Sequence, residues 1–420
     1  MEQVIFGGYT EAALSATDTK YSSPISGYLW QGTELYVYKL VSTDGKIKNL
    51  RVKLDGSPGV GTKYTFALMV NGAPSALTVE IADGATSGSD MVNEIVVSPG
   101  DTVSIRCVPE NTPTVRYATW TCVFEGDIEN ESLILGGELS PLSKTVTRYG
   151  QVMCARTAYT ATENDFRQVV PTAGTIKNFY VKLSEDPGTD PEGYRFTLRK
   201  NGVSQALTVT ITADATTGSD LVNTVDVVAG DVLTLMVEPL NAPSVAPSAV
   251  WGMTFVADID GESIVLGGGS DDLHNANIEY NKVTGETGTL WSTNEALRYL
   301  LGQVCTLKKL YILLSAAPGV GNTYTFTLRI AGADSNVVAA VTGAATTGNS
   351  GALEDDVDND EYVDLQVVPA DTPDAADAYW GFVAYREPPP AVAVKPVWEM
   401  LSRGAEARHR MKSSLTLKLG

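Results

Sequence analysis

The sequence predicts an all-β protein of three tandem jelly-roll-like antiparallel β-sandwich domains, each about 130 residues long, followed by a basic C-terminal arm. Three observations lead to this expectation. First, one stretch runs from Ile47-Lys48-Asn49-Leu50 through Pro58-Gly59 and Tyr64-Thr65-Phe66-Ala67-Leu68 to Asn71-Gly72. It returns as Ile176, Asn178, Pro187-Gly188, Tyr194-Arg195-Phe196-Thr197-Leu198 and Asn201-Gly202, and again as Leu307, Pro318-Gly319, Tyr324-Thr325-Phe326-Thr327-Leu328 and Ala331-Gly332. Second, apolar and polar residues alternate within it, which is the period of a half-buried strand. Third, Gly, Pro and Asn-Gly pairs interrupt that alternation where tight turns are required.

Each copy opens on an apolar run ending in Gly-Gly: Val4-Ile5-Phe6-Gly7-Gly8, Leu133-Ile134-Leu135-Gly136-Gly137 and Ile264-Val265-Leu266-Gly267-Gly268. These starts place the domains at 1–129, 130–260 and 261–387, with the arm at 388–420. The segments behind Gly-Gly, 9–45, 138–174 and 269–305, resemble one another least. Variable segments of constant length on a constant frame are where ligand specificity could reside, and Tyr28, Trp30, Tyr280 and Trp291 are the aromatics such a surface would use.

Leu50, Val52 and Leu54 then mark a strand, Pro58-Gly59 breaks it, and Tyr64, Phe66, Leu68 and Val70 mark the next. Asn71-Gly72 supplies the positive φ of a hairpin turn into Leu77–Ile81. Beyond the loop from Ala85 to Asp90, a strand from Met91 to Ser98 turns at Gly100-Asp101 into Val103, Ile105 and Cys107, which reads as a second hairpin. Every copy closes on a strand with an inward Trp, at 120, 251 and 380, expected as a core anchor. The count is about eight strands per domain, that of a two-sheet jelly roll. An immunoglobulin-like sandwich is the nearest rival, but its Cys and Trp spacing is missing.

A formal net charge of -20 argues against a nucleic-acid groove, which needs clustered Lys and Arg. The first residues show neither the basic start nor the apolar run of a signal peptide, and no apolar stretch reaches membrane-spanning length. Cys107, Cys122, Cys154 and Cys305 occupy non-equivalent places in the repeats, so they are expected as reduced thiols in a cytosol-assembled protein. CxxC spacing is absent, and no cofactor is implied.

The acidic run Glu354-Asp355-Asp356-Val357-Asp358-Asn359-Asp360-Glu361 replaces a mostly apolar stretch of the second copy. It reads as an exposed edge strand guarded by like charge. Asp356, Asp358 and Asp360 alternate as calcium ligands do, although Glu361 and Val367 stand where an EF-hand loop needs Gly and Glu. With only His274 and His409, a His-based nucleophile relay is not supported, and no pair of carboxylates stands out as catalytic. A non-enzymatic role is therefore expected.

In the arm, Lys395, Arg403, Arg408, Arg410, Lys412 and Lys418 face only Glu399 and Glu406. Pro388-Pro389-Pro390 stiffens its exit. Pro396 suits the start of a short helix carrying Trp398 and Leu401, and Ser414–Leu419 alternates like an orphan strand through Leu415, Leu417 and Leu419. A basic arm with an orphan strand on an acidic body is expected to mediate assembly, with Trp398, Leu401, Arg408, Arg410, Leu415, Leu417 and Leu419 as contact residues.

With Pro-Gly-x-Gly, Tyr-Thr-Phe-Thr-Leu and Ala-Thr-Thr-Gly recurring on a sandwich frame, residues 1–387 resemble virion structural proteins of tailed bacteriophages, namely the capsid-decoration, head-fibre and tail-fibre proteins made of tandem jelly-roll or related modules. The resemblance implies a non-enzymatic homo-oligomer, with trimers common among such proteins, that meets other virion proteins and is assembled in the host cytoplasm. The alternative is a surface carbohydrate-binding or adhesive module, or an extracellular filament subunit, with a host-surface glycan as partner.

Overall fold

The computed structural model describes residues 1–9, 11–26, 29–154, 159–285 and 291–387. Met1–Glu387 form one compact unit, within which the strand pattern of two facing antiparallel sheets recurs three times. Pro388–Gly420 form a second unit that lies outside the described residues.

Repeat 1 contains β1 (Glu2–Tyr9), β2 (Lys20–Ser22), β3 (Lys39–Leu40), β4 (Gly45–Leu54), β5 (Gly59–Val70), β6 (Ala73–Asp83), β7 (Ser87–Val97), β8 (Thr102–Glu110) and β9 (Ala118–Gly126). One sheet has the order β1-β9-β4-β7. The other has β2-β8-β5-β6, with β3 also paired to β8. Because β2 and β3 pair with successive stretches of β8, they act as one interrupted strand. Eight strands that alternate between sheets in this way make a double Greek key, the jelly roll that the strand count predicts.

The local sequence accounts for the main features of this frame. In β4, Ile47 is buried and then Leu50, Val52 and Leu54, so the alternation slips by one residue at Asn49. Asn49 has φ 55° and forms a β-bulge, as do Asn178 and Lys309 at the same place in the other repeats. The Asn71-Gly72 turn has φ 50° and 79°, as a hairpin of this type requires. In repeat 3 Ala331 takes the same conformation at φ 52°.

Each sandwich is centred on its tryptophan. Trp120, Trp251 and Trp380 are fully buried, and their Nε1–H groups donate to the carbonyls of Ser23 and Pro24, of Val152 and of Val283. Gly7, Gly136 and Gly267 lie directly across the ladder from these tryptophans. A Cβ there would stand 2.2, 1.9 and 2.3 Å from Nε1. The first glycine of each Gly-Gly pair is therefore the room the indole needs. Trp30 and Trp291 also join the cores, with ring centroids 5.2 Å from Trp120 and 5.7 Å from Trp380.

One local expectation needs correction. Gly100-Asp101 does not close a hairpin, because β7 and β8 lie in different sheets. β8 and β9 also lie in different sheets, so Cys107 and Cys122 sit on opposite sheets, and they are buried free thiols like Cys154 and Cys305, as the sequence leads one to expect. Turn residues report that the chain reverses but not which sheet it enters. Among the named strands of repeat 1, only β5 and β6 are both consecutive and paired.

Candidate functional site

The three repeats meet around one axis, formed by β1 and its counterparts Glu131–Glu138 and Glu262–Gly269. Val4, Ile5, Leu133, Leu135, Met153 and Ile264 leave only a small void between them. Phe6 reaches Phe382 of repeat 3, with ring centroids 6.5 Å apart. Gln3 extends the ladder across the axis: its Nε2 donates to Leu133 O at 2.9 Å, and its Oε1 accepts from Leu133 N at 2.8 Å.

The first residue of each axial strand is a glutamate, and each forms the centre of a junction. Glu2, Glu131 and Glu262 pair with Lys48, Lys177 and Lys308 of their own repeats at 2.8, 2.6 and 3.0 Å. Each carboxylate also accepts from the repeat before it in the ring. Thr43 donates to Glu131, Thr172 donates to Glu262 at 2.6 Å, and Arg386 of repeat 3 pairs with Glu2 at 2.8 Å. Lys309, on the bulge of repeat 3, adds 2.7 Å to Glu262 and 3.0 Å to Thr172. The side chains of Glu131 and Glu262 have no solvent exposure. Burial pushes the Glu262 carboxyl up, but the hydrogen bonds from Lys309, Thr172 and Lys308 outweigh it and hold the group below the ordinary carboxylate range.

Beside each glutamate, a segment of one repeat lies on the closing strand of the next. The Leu40 carbonyl stands where it would be 2.1 Å from a Cβ on Gly252, and Thr254 Oγ1 is 2.9 Å from Ser42 Oγ. The Val169 carbonyl would likewise be 1.9 Å from a Cβ on Gly381. At the third junction Gln303 Nε2 donates to Asn49 O at 2.9 Å and reaches Thr121 Oγ1 at 3.4 Å. Further charged contacts gather there: Arg51 pairs with Asp360 at 2.9 Å, Arg298 with Glu11 at 2.6 Å, and Lys53 lies 4.2 Å over the Tyr362 ring. The contacts run from repeat 1 to 2, 2 to 3 and 3 back to 1, and they form a closed pseudo-threefold ring.

The docking segments, around Lys39–Thr43, Gln168–Thr172 and Leu300–Gln303, fall inside the variable parts of the repeats. Their variability has a structural use, since each packs on a different neighbour. Trp30 and Trp291 are 8% and 5% exposed, which removes them as stacking platforms; Tyr280 is half-buried, and Tyr28 lies outside the described residues.

Glu354–Val357 forms an edge strand paired to Cys305–Lys308, as the acidic run leads one to expect. Its aspartates do not converge: Asp356 accepts from Thr306 Oγ1 at 2.7 Å and Asp360 faces Arg51, while the backbone of Asp358 donates to Glu361. Among the described residues, no group of three or more His, Cys, Asp or Glu is placed to hold a metal ion. His274 Nδ1 accepts from the backbone N–H groups of Ala276 and Asn277 in an exposed loop. The arm residues Trp398, Leu401, Arg408, Arg410, Leu415, Leu417 and Leu419 lie outside the described residues. The junction glutamates were not singled out from sequence, although a signal was present: a Glu stands five residues before the first Gly of every Gly-Gly pair.

No family model matches this chain, and no curated protein matches it.

Proposed function

We propose that this chain is a non-enzymatic virion structural protein, a capsid-decoration or fibre component of the tailed-phage kind, which self-assembles and attaches to neighbouring virion proteins through its basic arm. The observation that carries this reading is the closed ring. Jelly-roll repeats that bury their Gly-Gly strands, variable segments and charged Glu-Lys nodes against one another make a rigid block with pseudo-threefold symmetry. That arrangement suits a building unit, in which one chain provides what a trimer of single modules otherwise does. The aromatic side chains that favour a glycan-binding surface are in part core residues, so the adhesive reading loses support.

Under this reading the body, strongly acidic, repels its copies, and the arm supplies the attraction. Assembly takes place in the host cytoplasm and the product resides in the virion. Light scattering at moderate salt, on the full chain beside a chain ending at Glu387, tests the proposal. A closed oligomer or filament that falls to monomer on truncation is the expected result. Monomers in both cases, or an assembly that survives truncation unchanged, overturns the role given to the arm.

A further inference from the structure

The pseudo-threefold frame allows one buried acid to be compared with its two counterparts. In repeat 1, Ser104 Oγ donates to Glu34 at 2.9 Å, and in repeat 2, Thr234 Oγ1 donates to Glu163 at 2.7 Å. Both glutamates sit on short 3-10 turns that cover the outer face of a sheet. Repeat 3 keeps the turn and its glutamate, Glu295, but places Asp364 where the hydroxyl should be. Asp364 has no solvent exposure, and neither of its carboxyl oxygens has a donor.

The cation beside it is already engaged by other acceptors. Arg329 lies directly across the ladder from Asp364, but its guanidinium is engaged by Glu295 at 2.9 Å, by Asp334 and by the Gly332 carbonyl. On the other side, Tyr299 follows the turn and stacks on Tyr362 with centroids 4.6 Å apart, and Lys53 of repeat 1 caps the Tyr362 ring. Tyr280 lies beneath Arg329, 5.9 Å from it. An ionised carboxylate can only accept hydrogen bonds, whereas a protonated one can donate as Ser104 and Thr234 do.

We infer that Asp364 keeps its proton at neutral pH and donates it to Glu295, and that transfer of this proton to hydroxide or buffer unlatches the junction between repeats 3 and 1. Once it is ionised, two carboxylates stand side by side beneath one turn. Their repulsion lifts the turn, moves Tyr299 off Tyr362, and frees the ring that Lys53 covers. Burial first, and then the Glu295 charge, push the Asp364 carboxyl from 3.8 up to about 9 against the opposing pull of the Arg329 charge. The folded chain therefore holds one proton more than the unfolded chain across that window, so stability from this site falls as pH rises through it and levels off above. The inference does not depend on the virion reading, because it concerns the ring alone.

The test is the side-chain carboxyl carbon resonance of Asp364 in the full chain, followed by pH titration, together with the Tm of the wild type and of Asp364→Ser, the residue of repeat 1. The resonance is expected to stay at its protonated position through neutral pH and move only in alkali. Between about pH 6 and about pH 9 the wild type should lose Tm while Asp364→Ser does not. A resonance already ionised at neutral pH, or equal pH slopes in the two proteins, overturns the inference. If Asp364→Ser fails to fold, the wild-type resonance alone decides.

Discussion

The junctions that follow the chain, from repeat 1 to 2 and from 2 to 3, use the same surfaces as the junction that closes the ring, but with different chemistry. The chain crosses from repeat 1 to repeat 2 within Asp127–Asn130 and from repeat 2 to repeat 3 within Asp258–Gly261. There the backbone of one repeat presses on a glycine of the next, Leu40 on Gly252 and Val169 on Gly381. The closing junction has no such short link. It carries Thr121 in place of the glycine, a side-chain amide from Gln303, and ion pairs between residues as far apart in sequence as Arg51 and Asp360. A tether keeps its two surfaces at high effective concentration, so close fit around the shared glutamate node is enough to hold them. Surfaces that must find each other without a direct tether gain from oriented charge, which acts over a longer range than packing.

The comparison is broken most severely at a tethered node. Glu262→Ala leaves Lys308 and Lys309 without their shared buried carboxylate, and it should cost about 3 kcal/mol in urea unfolding. The same node gives the wild type an acid limit. Because the folded Glu262 carboxyl titrates below its ordinary 4.5, its contribution is complete above that value and is lost as pH falls through the folded pKa. A Glu262→Gln chain whose stability falls as steeply in acid as the wild type's would show that the node is not what acid breaks. Next in size is Gly381→Val, which forces a side chain into the Val169 carbonyl and should cost about 1–3 kcal/mol. Thr121→Val, at the equivalent place of the closing junction, already has room for a side chain of this size and should cost about 0.5–1.5 kcal/mol, the loss of the contact between its hydroxyl and Gln303, whose amide keeps its bond to Asn49 O. Equal losses at the two positions would remove the distinction between fitted and charged junctions.

Much of this frame is legible in sequence because it rests on local rules. The strands announce themselves by period two, the hairpin by Asn71-Gly72, and the core by a tryptophan in each copy. The partner of that tryptophan, Gly7, is visible as a motif, but its reason is not, since Gly7 and Trp120 are neighbours only across a ladder that joins the two ends of the repeat. The ring is hidden for the same cause. Thr43 and Glu131, or Arg51 and Asp360, gain meaning only when separate repeats are brought together, and no periodicity within one repeat encodes that arrangement. The sheet assignment of β7 and β8 is also non-local, which is why Gly100-Asp101 looks like a hairpin turn and is a crossover between sheets.

The smallest effect sharpens the comparison most directly. Arg51 is 13% exposed and Asp360 41% at their side chains, so the pair is only partly shielded from water. Arg51→Ala should cost under about 1 kcal/mol at low salt. Its value lies in the salt dependence, measured in urea rather than in an ionic denaturant. Added salt should stabilise the whole body by screening the repulsion within a chain of net charge -20, and that gain is common to both proteins. What differs is the closing junction, where salt also weakens the Arg51–Asp360 attraction in the wild type and has nothing to weaken in Arg51→Ala. The gap between the two midpoints should therefore narrow as salt is raised to about 1 M, where the screening length is about 3 Å. Parallel salt curves would place the pair among ornamental surface contacts, and the closing junction would then rest on Gln303 and the packing around the axis instead.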